Sequence, residues 1–229
     1  MSKKSKIEFD HFNPIDINKN SVSLGVFSLD SNINDDVIIP NAQTKDIDKY
    51  KKVEDIAKRV IARKKLYSFV KEKYNLLNFD VYFNKYHKPR FVNSNNIYFS
   101  FSYSKEYIFI GVADLQIGVD IEYIDETLNI DDLANVIMHP LEYSYFISLS
   151  LEKRRIFFFR VFNIKESIIK AIGTGLYYDV KKINILDIDN NENYQLDEHK
   201  LAIRELNYFN HFRFSICLVI SSEDRQNDE

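Results

Sequence analysis

The 229-residue chain is 45% hydrophobic and carries 31 basic and 34 acidic residues, for a formal net charge of -3. That balance, with a pI near 6.0, argues against a general nucleic-acid binder, which is usually basic. A single cysteine, Cys217, excludes an intramolecular disulfide framework and fits a reducing compartment. No apolar run approaches the length of a membrane span, and the start lacks the apolar core of a secretory signal, so a soluble cytoplasmic protein is expected.

In chain order, residues 22–29 read as a first strand, followed by a polar stretch at 30–49 that holds Pro40. Residues 53–74 read as a long helix, with Ile56, Val60, Tyr67 and Val70 at helical spacing. Its middle is basic: Lys58, Arg59, Arg63, Lys64 and Lys65. His87, Lys88, Pro89 and Arg90 lie in a polar connection that, unaided, reads as a turn with two surface cations. The strand at 97–103 alternates Ile97, Phe99, Phe101 and Tyr103 on one face with Tyr98, Ser100 and Ser102 on the other. Strands at 107–113 and 117–123 follow.

Helices are expected at 131–138 and 141–149, separated by His139 and Pro140. The main helix spans 152–172 and stops at Gly173, a good C-terminal signal. Residues 182–188, 201–207 and 212–220 look like three closing strands, and the polar tail at 221–229 is expected to fray. The order of elements suggests an α+β protein of two similar halves, 1–114 and 115–229, with a joint near residues 113–117.

Two segments make one chemical proposal. In Gly118-Val119-Asp120-Ile121-Glu122, Val119 and Ile121 alternate with the two acids, whose side chains share a strand face. Such carboxylates sit about 7 Å apart and repel by roughly 2 kcal/mol at an effective dielectric near 20, which calls for a cation. In Lys165-Glu166-Ser167-Ile168-Ile169-Lys170, a helix supplies a third carboxylate, Glu166, with Lys170 one turn on. Three convergent carboxylates with nearby lysines suit a hard divalent ion and a phosphate-bearing substrate. Lys165 falls in the apolar stripe of Phe157, Val161, Ile164, Ile168 and Ile172, while Asn163, Glu166 and Lys170 occupy another face. It is either a snorkelling stem with its ammonium in water or a cation turned toward the cluster. The five histidines show no zinc-ligand spacing, and neither a glycine-rich phosphate loop nor a nucleophile elbow is present.

These residues resemble the signature of the 4'-phosphopantetheinyl transferases. The match is to the monomeric, double-length type that activates nonribosomal peptide and polyketide synthases. Phe162 and Asn163 extend the second signature segment, and Gly173, Thr174, Gly175 and Leu176 match its close. Residues 55–59 look like the family's early helix, whose arginine meets coenzyme A. Lys88 and Pro89 look like its Gly-Lys-Pro, residues 100–104 like its serine-containing strand, and Glu142 like its acidic residue before the final helices. Three positions depart: His87 replaces Gly, Phe162 replaces Trp, and Tyr103 replaces a His that touches the nucleotide 3'-phosphate.

The resemblance implies two halves related by pseudo-two-fold symmetry, each a helix on a small, mostly antiparallel sheet, with coenzyme A between them. It implies that Asp120, Glu122 and Glu166 hold Mg²⁺, that Glu166 is the general base, and that Lys170 and Lys165 support the reaction. Arg59, Lys88, Ser102 and Tyr103 would bind the nucleotide. The partner would be an acyl or peptidyl carrier protein, with neither nucleic acid nor membrane involved. A metal-dependent phosphodiesterase and a coenzyme A- or carrier-binding regulator without turnover are the rival readings.

Overall fold

The computed structural model describes residues 7–9, 22–29, 47, 51–74, 80–86, 88–92, 97–188 and 193–222. The polar stretch at 30–49 (residue 47 apart), His87 and the tail beyond 222 lie outside the described residues. Strands β1 (Ile7–Phe9), β2 (Val22–Ser28), β5 (Tyr98–Ser104) and β6 (Tyr107–Ala113) form an antiparallel sheet in the order β1-β2-β6-β5. Helix α1 (Val53–Tyr74) packs on it through Leu66, Tyr67, Phe69 and Val70, which share a core with Phe99, Ile108, Ile110 and Val112. A hairpin of β3 (Val81–Phe83) and β4 (Pro89–Phe91) stands apart as its own small sheet.

A second antiparallel sheet follows the order β7-β10-β9-β8, from β7 (Ile117–Tyr123), β8 (Tyr194–Leu196), β9 (His199–Leu206) and β10 (Phe212–Ser222). Its helices are α2 (Ile130–Ile137), α3 (Pro140–Ser148), α4 (Leu151–Ile172) and the short α5 (Ile185–Ile188). One face of β7 carries Ile117, Val119 and Ile121 into a core shared with Leu24, Val26 and Phe109 of the first sheet. Its other face turns toward α4, whose Phe157, Val161, Ile164 and Ile168 are buried among α2, α3 and β9 residues. Among the described residues no helix is long and apolar enough to cross a membrane.

The two sheets meet through serines. Ser100 Oγ accepts the Val119 N–H at 3.1 Å and Ser104 Oγ accepts the Tyr123 N–H at 3.0 Å. These hydroxyls satisfy outward-facing amides of β7, a strand at the edge of its sheet. The expected alternation of β5 is what makes this seam, because Phe99, Phe101 and Tyr103 face α1 and the serines face β7.

Residues 182–188 are not a strand. Residues Val180–Lys182 form a 3-10 turn and α5 follows. The alternation of the apolar Ile183 and Ile185 with the polar Asn184 imitates a strand, but polar side chains turn the chain. Asp179 accepts the Lys181 N–H at 3.1 Å, and Asn184 Nδ2 donates to Asp187 at 3.0 Å. Strands β1, β3, β4 and β8 are three residues each, too short to show a period in sequence.

The close seat of α4 on β7 depends on Gly118. A Cβ built there would fall onto the Ser167 carbonyl oxygen and the Ala171 amide nitrogen, both helix backbone. At Gly111, by contrast, a Cβ would meet only side-chain ends, Val119 Cγ1 at 2.5 Å and Ile117 Cδ1 at 2.8 Å. Gly118→Ala is therefore expected to destabilise the protein by about 3 kcal/mol, the upper end of ordinary overpacking. Gly111→Ala should cost clearly less. Urea unfolding of both variants checks this, and equal losses would show that the helix backbone does not constrain position 118.

Candidate active site

Strand β7 presents Asp120 and Glu122 toward α4, and α4 answers with Asn163, Glu166 and Lys170, spaced so that they share a helix face. Asp120 is buried, 1% exposed, and its carboxylate is fully engaged. Oδ1 accepts from Lys170 Nζ at 2.6 Å and from Ser102 Oγ at 2.8 Å, while Oδ2 accepts from Asn163 Nδ2 at 2.7 Å. Lys170 Nζ also donates to Ser102 Oγ at 2.9 Å, so the serine hydroxyl accepts from the lysine and donates to the aspartate. A buried carboxylate without such partners would be costly.

Glu122 and Glu166 lie beside this group, each half-buried. Burial first, then the Asp120 charge, pushes the Glu122 carboxyl up to about 8, with Lys170 opposing and Glu166 adding. Burial also raises Glu166, opposed by Lys170. For Lys170 burial acts downward, but the bonded Asp120 and the nearby Glu166 and Glu122 outweigh it and the ammonium is held above its ordinary value. Among the described residues no three acidic, histidine or cysteine side chains stand close enough together to form a ready ligand set. The donor chemistry nonetheless fits a hard divalent cation: all three groups are oxygen donors, and a single ammonium leaves their mutual repulsion only partly offset.

A cavity of about 240 Å³ opens beside Lys170, walled by Phe83, Phe99, Phe101 and Ile169 with Arg63, Tyr86, Lys88, Ser100 and the glycines 173 and 175. Arg63 lies over the Phe101 ring at 4.5 Å. One turn earlier on α1, Arg59 lies over the Tyr103 ring at 5.5 Å, which brings two of the expected nucleotide contacts together. Ser102 stands instead at the carboxylate end, bonded to Asp120 and Lys170. The Lys88 ammonium donates to the carbonyls of Ala171 at 2.8 Å and Ile117 at 3.2 Å. Burial, with the Arg90 charge second, lowers it to about 7.

Arg63 is a member of the site that no motif singled out, and Asn163, though inside the second signature segment, was given no role there. The spacing of Asn163 with Glu166 and Lys170, and of Arg63 with Arg59, is the signal that could have found them.

Lys165 corrects both expectations, since it is neither a snorkelling stem nor a cation turned toward the carboxylate cluster. Its side chain is 1% exposed, and its ammonium donates to Glu142 Oε2 at 2.7 Å, Ile137 O at 2.9 Å and Val180 O at 3.0 Å. Glu142, also fully buried, accepts the N–H groups of His139 and Ile185, each at 2.7 Å. The pair therefore ties α4 to α2, α3, the 3-10 turn and α5. Lys165→Met should strand a buried carboxylate and destabilise the protein by about 3–5 kcal/mol, with part of the loss recovered by adding Glu142→Gln. A Lys165→Met variant that unfolds in urea like the wild type would show the pair contributes nothing.

A family model of the 4'-phosphopantetheinyl transferase superfamily matches residues 116–217, which contain β7, α4 and the carboxylate cluster. The 4'-phosphopantetheinyl transferase gsp of Aneurinibacillus migulanus is 31% identical over 182 residues, covering 76% of this chain and 73% of that protein. The 4'-phosphopantetheinyl transferase ffp of Bacillus subtilis is 29% identical over 150 residues, 64% of this chain and 66% of that protein. The 4'-phosphopantetheinyl transferase HetI of Nostoc sp. is 39% identical over a shorter 61 residues, 27% of this chain and 26% of that protein. With the carboxylate and lysine cluster inside the matched region and a relative aligned over most of its length, the chain belongs to the 4'-phosphopantetheinyl transferase superfamily.

Proposed function

We propose that the protein transfers the 4'-phosphopantetheine arm of coenzyme A to a serine of an acyl or peptidyl carrier protein, releasing 3',5'-ADP. The observation that carries this reading is the Asp120–Lys170–Ser102 cluster, flanked by Glu122 and Glu166, whose Lys170 also lines the cavity. The carriers of nonribosomal peptide and polyketide synthases are the proposed partners, served by a cytoplasmic monomer. Residues 1–114 and 115–229 are its two halves, with coenzyme A between them. That each half has a four-stranded antiparallel sheet and one 22-residue helix supports relating them by a pseudo-two-fold axis.

In this reaction the carrier serine oxygen attacks the phosphorus nearest the pantetheine. The bond from that phosphorus to the bridging oxygen breaks, and 3',5'-ADP departs with the bridging oxygen. Glu166 takes the serine proton, directly or through water, as the carboxylate base. Lys170, held charged by Asp120, donates to the departing phosphate. Ser102 and Asn163 orient Asp120, and the Lys165–Glu142 pair positions α4 from its far side. Arg59, Lys88 and Tyr103 are the proposed contacts for the nucleotide end, supported by the Arg59–Tyr103 contact and the cavity wall at Lys88. Asp120, Glu122 and Glu166 are the residues that would hold Mg²⁺, which when bound supplies charge stabilisation at the pyrophosphate.

Incubation with coenzyme A, Mg²⁺ and an apo carrier should add the arm's mass to the carrier. Nucleotide cleavage without that gain would instead support a phosphodiesterase, and binding alone a regulator. Glu166→Gln should lower kcat by roughly 10²–10⁴-fold with a smaller change in KM. A defect confined to the KM for the carrier would remove Glu166 from the chemistry.

Metal binding should also be linked to protons. Below pH 8 the metal-free Glu122 is protonated, so Mg²⁺ must displace that proton and its affinity should fall as the pH drops from about 8. Calorimetry in two buffers of different ionisation enthalpy measures the proton released at pH 6.5. Release that is absent, or unchanged in Glu122→Gln, would remove Glu122 from the ligand set.

A further inference from the structure

Apart from the nucleotide contact proposed for Lys88, the β3–β4 hairpin makes a set of polar contacts that the transfer reaction as described leaves unused. Asn84 follows β3, and its Oδ1 accepts the backbone N–H groups of Tyr86 at 2.9 Å and Lys88 at 2.8 Å. Its own backbone N–H donates to Lys88 O at 3.0 Å, so one residue ties the two ends of the turn together. Its remaining group, Nδ2, reaches across 89 residues of sequence to donate to Gly173 O at 3.2 Å. Gly173 is the left-handed residue, φ 76°, that terminates α4.

The turn also aims Lys88. A helix end leaves carbonyls without intrahelical donors, and a lysine there can satisfy them. Lys88 Nζ does so at Ala171 O, 2.8 Å away, and bonds Ile117 O at 3.2 Å with the same ammonium. Ala171 follows Lys170 directly, and Ile117 begins the strand that carries Asp120. One ammonium thus joins the ends of the two elements whose side chains meet as the Lys170–Asp120 pair at 2.6 Å. The same hairpin lines the cavity with Phe83, Tyr86 and Pro89.

We propose that Asn84 is a positioning residue for the transfer reaction: it holds the hairpin as a clamp on the end of α4 and so sets the place of the Lys170 ammonium beside the cavity. The clamp rests on the reading that Lys170 acts on the departing phosphate. It needs no contact between Asn84 and substrate. A loss of about an ångström in the placement of a reacting group can lower a rate by up to roughly a hundredfold, so a clamp that reaches α4 and β7 through three hydrogen bonds matters to kcat.

The test is a double-mutant cycle between Asn84→Ala and Lys170→Ala. Carrier mass gain is followed over hours, coenzyme A is varied, and urea unfolding is recorded for each variant. Asn84→Ala should lower kcat at saturating coenzyme A about tenfold, separately from any rise in KM through the displaced Lys88, and the kcat loss should shrink to less than about twofold in the Lys170→Ala background, because the positioned group is gone. Asn84→Asp keeps both acceptor bonds of the turn and guards against an Ala variant that fails to fold. It lacks the donor to Gly173 O and should keep the kcat loss. The same penalty in both backgrounds, or an unchanged kcat in Asn84→Asp and Asn84→Ala, overturns the clamp alone. Wild-type activity in Lys170→Ala overturns the reading of the site, and the clamp with it.

Discussion

Helix α4 lies on β7 with backbone against backbone because position 118 has no side chain, and the rest of the site depends on that closeness. A Cβ there would sit on the Ser167 carbonyl and the Ala171 amide, so any other residue would lift the helix from the strand. At this spacing Asp120, two residues along β7, is shut away from water and faces Asn163 and Lys170 across the gap. Burial raises the cost of the carboxylate, and the helix supplies the donors that offset it. Packing and electrostatics are therefore not separable here: the contact that desolvates the acid is the one that brings its partners.

The same strand is held from its other side by a seam of a different kind. Strand β7 belongs to the second sheet and lies beside β5 of the first without a backbone ladder between them. Ser100 and Ser104 replace two ladder bonds by accepting β7 amides, and between them Ser102 bonds the side chain of Asp120. Hydroxyls on alternate residues are the right length to cap an edge strand while leaving the aromatic face of β5 in the core under α1. The first sheet thereby contributes Ser102 to a charge cluster built on β7 and α4.

Two buried ion pairs on one helix have different surroundings. Lys165 and Glu142 are both enclosed, and every polar atom of the pair has a backbone or charged partner, which is the arrangement that makes a buried pair hold a fold together. In the Lys170–Asp120 pair the lysine side chain is 29% exposed and borders the cavity, with two further carboxylates near it. A pair open on one side and crowded by like charges is able to exchange partners when an anion or a cation arrives.

Much of this was readable from the chain. The alternation at 97–103 and 117–123 and the helical spacing at 53–74 and 152–172 each follow from one local period, and each element lies within one residue of where that period puts it. The residue types of the cluster, Asp120, Glu122, Glu166 and Lys170, were legible because strand and helix periodicity alone decide which side chains share a face. Local pattern misled at 182–188, where buried Ile183 and Ile185 imitate a strand that Asp179 and Asn184 turn into helix. It was silent on three-residue strands. Partnership lay beyond it altogether: Lys165 could read as a snorkelling stem until Glu142 closed over it, and Lys88 as a turn cation until Ala171 and Ile117 offered their carbonyls. The sequence by itself determined which faces are apolar and which groups carry charge, because those follow from residues a few positions apart. Only the tertiary structure decided which charges meet, because the partners lie tens of residues apart and their energies depend on how much water the packing leaves between them.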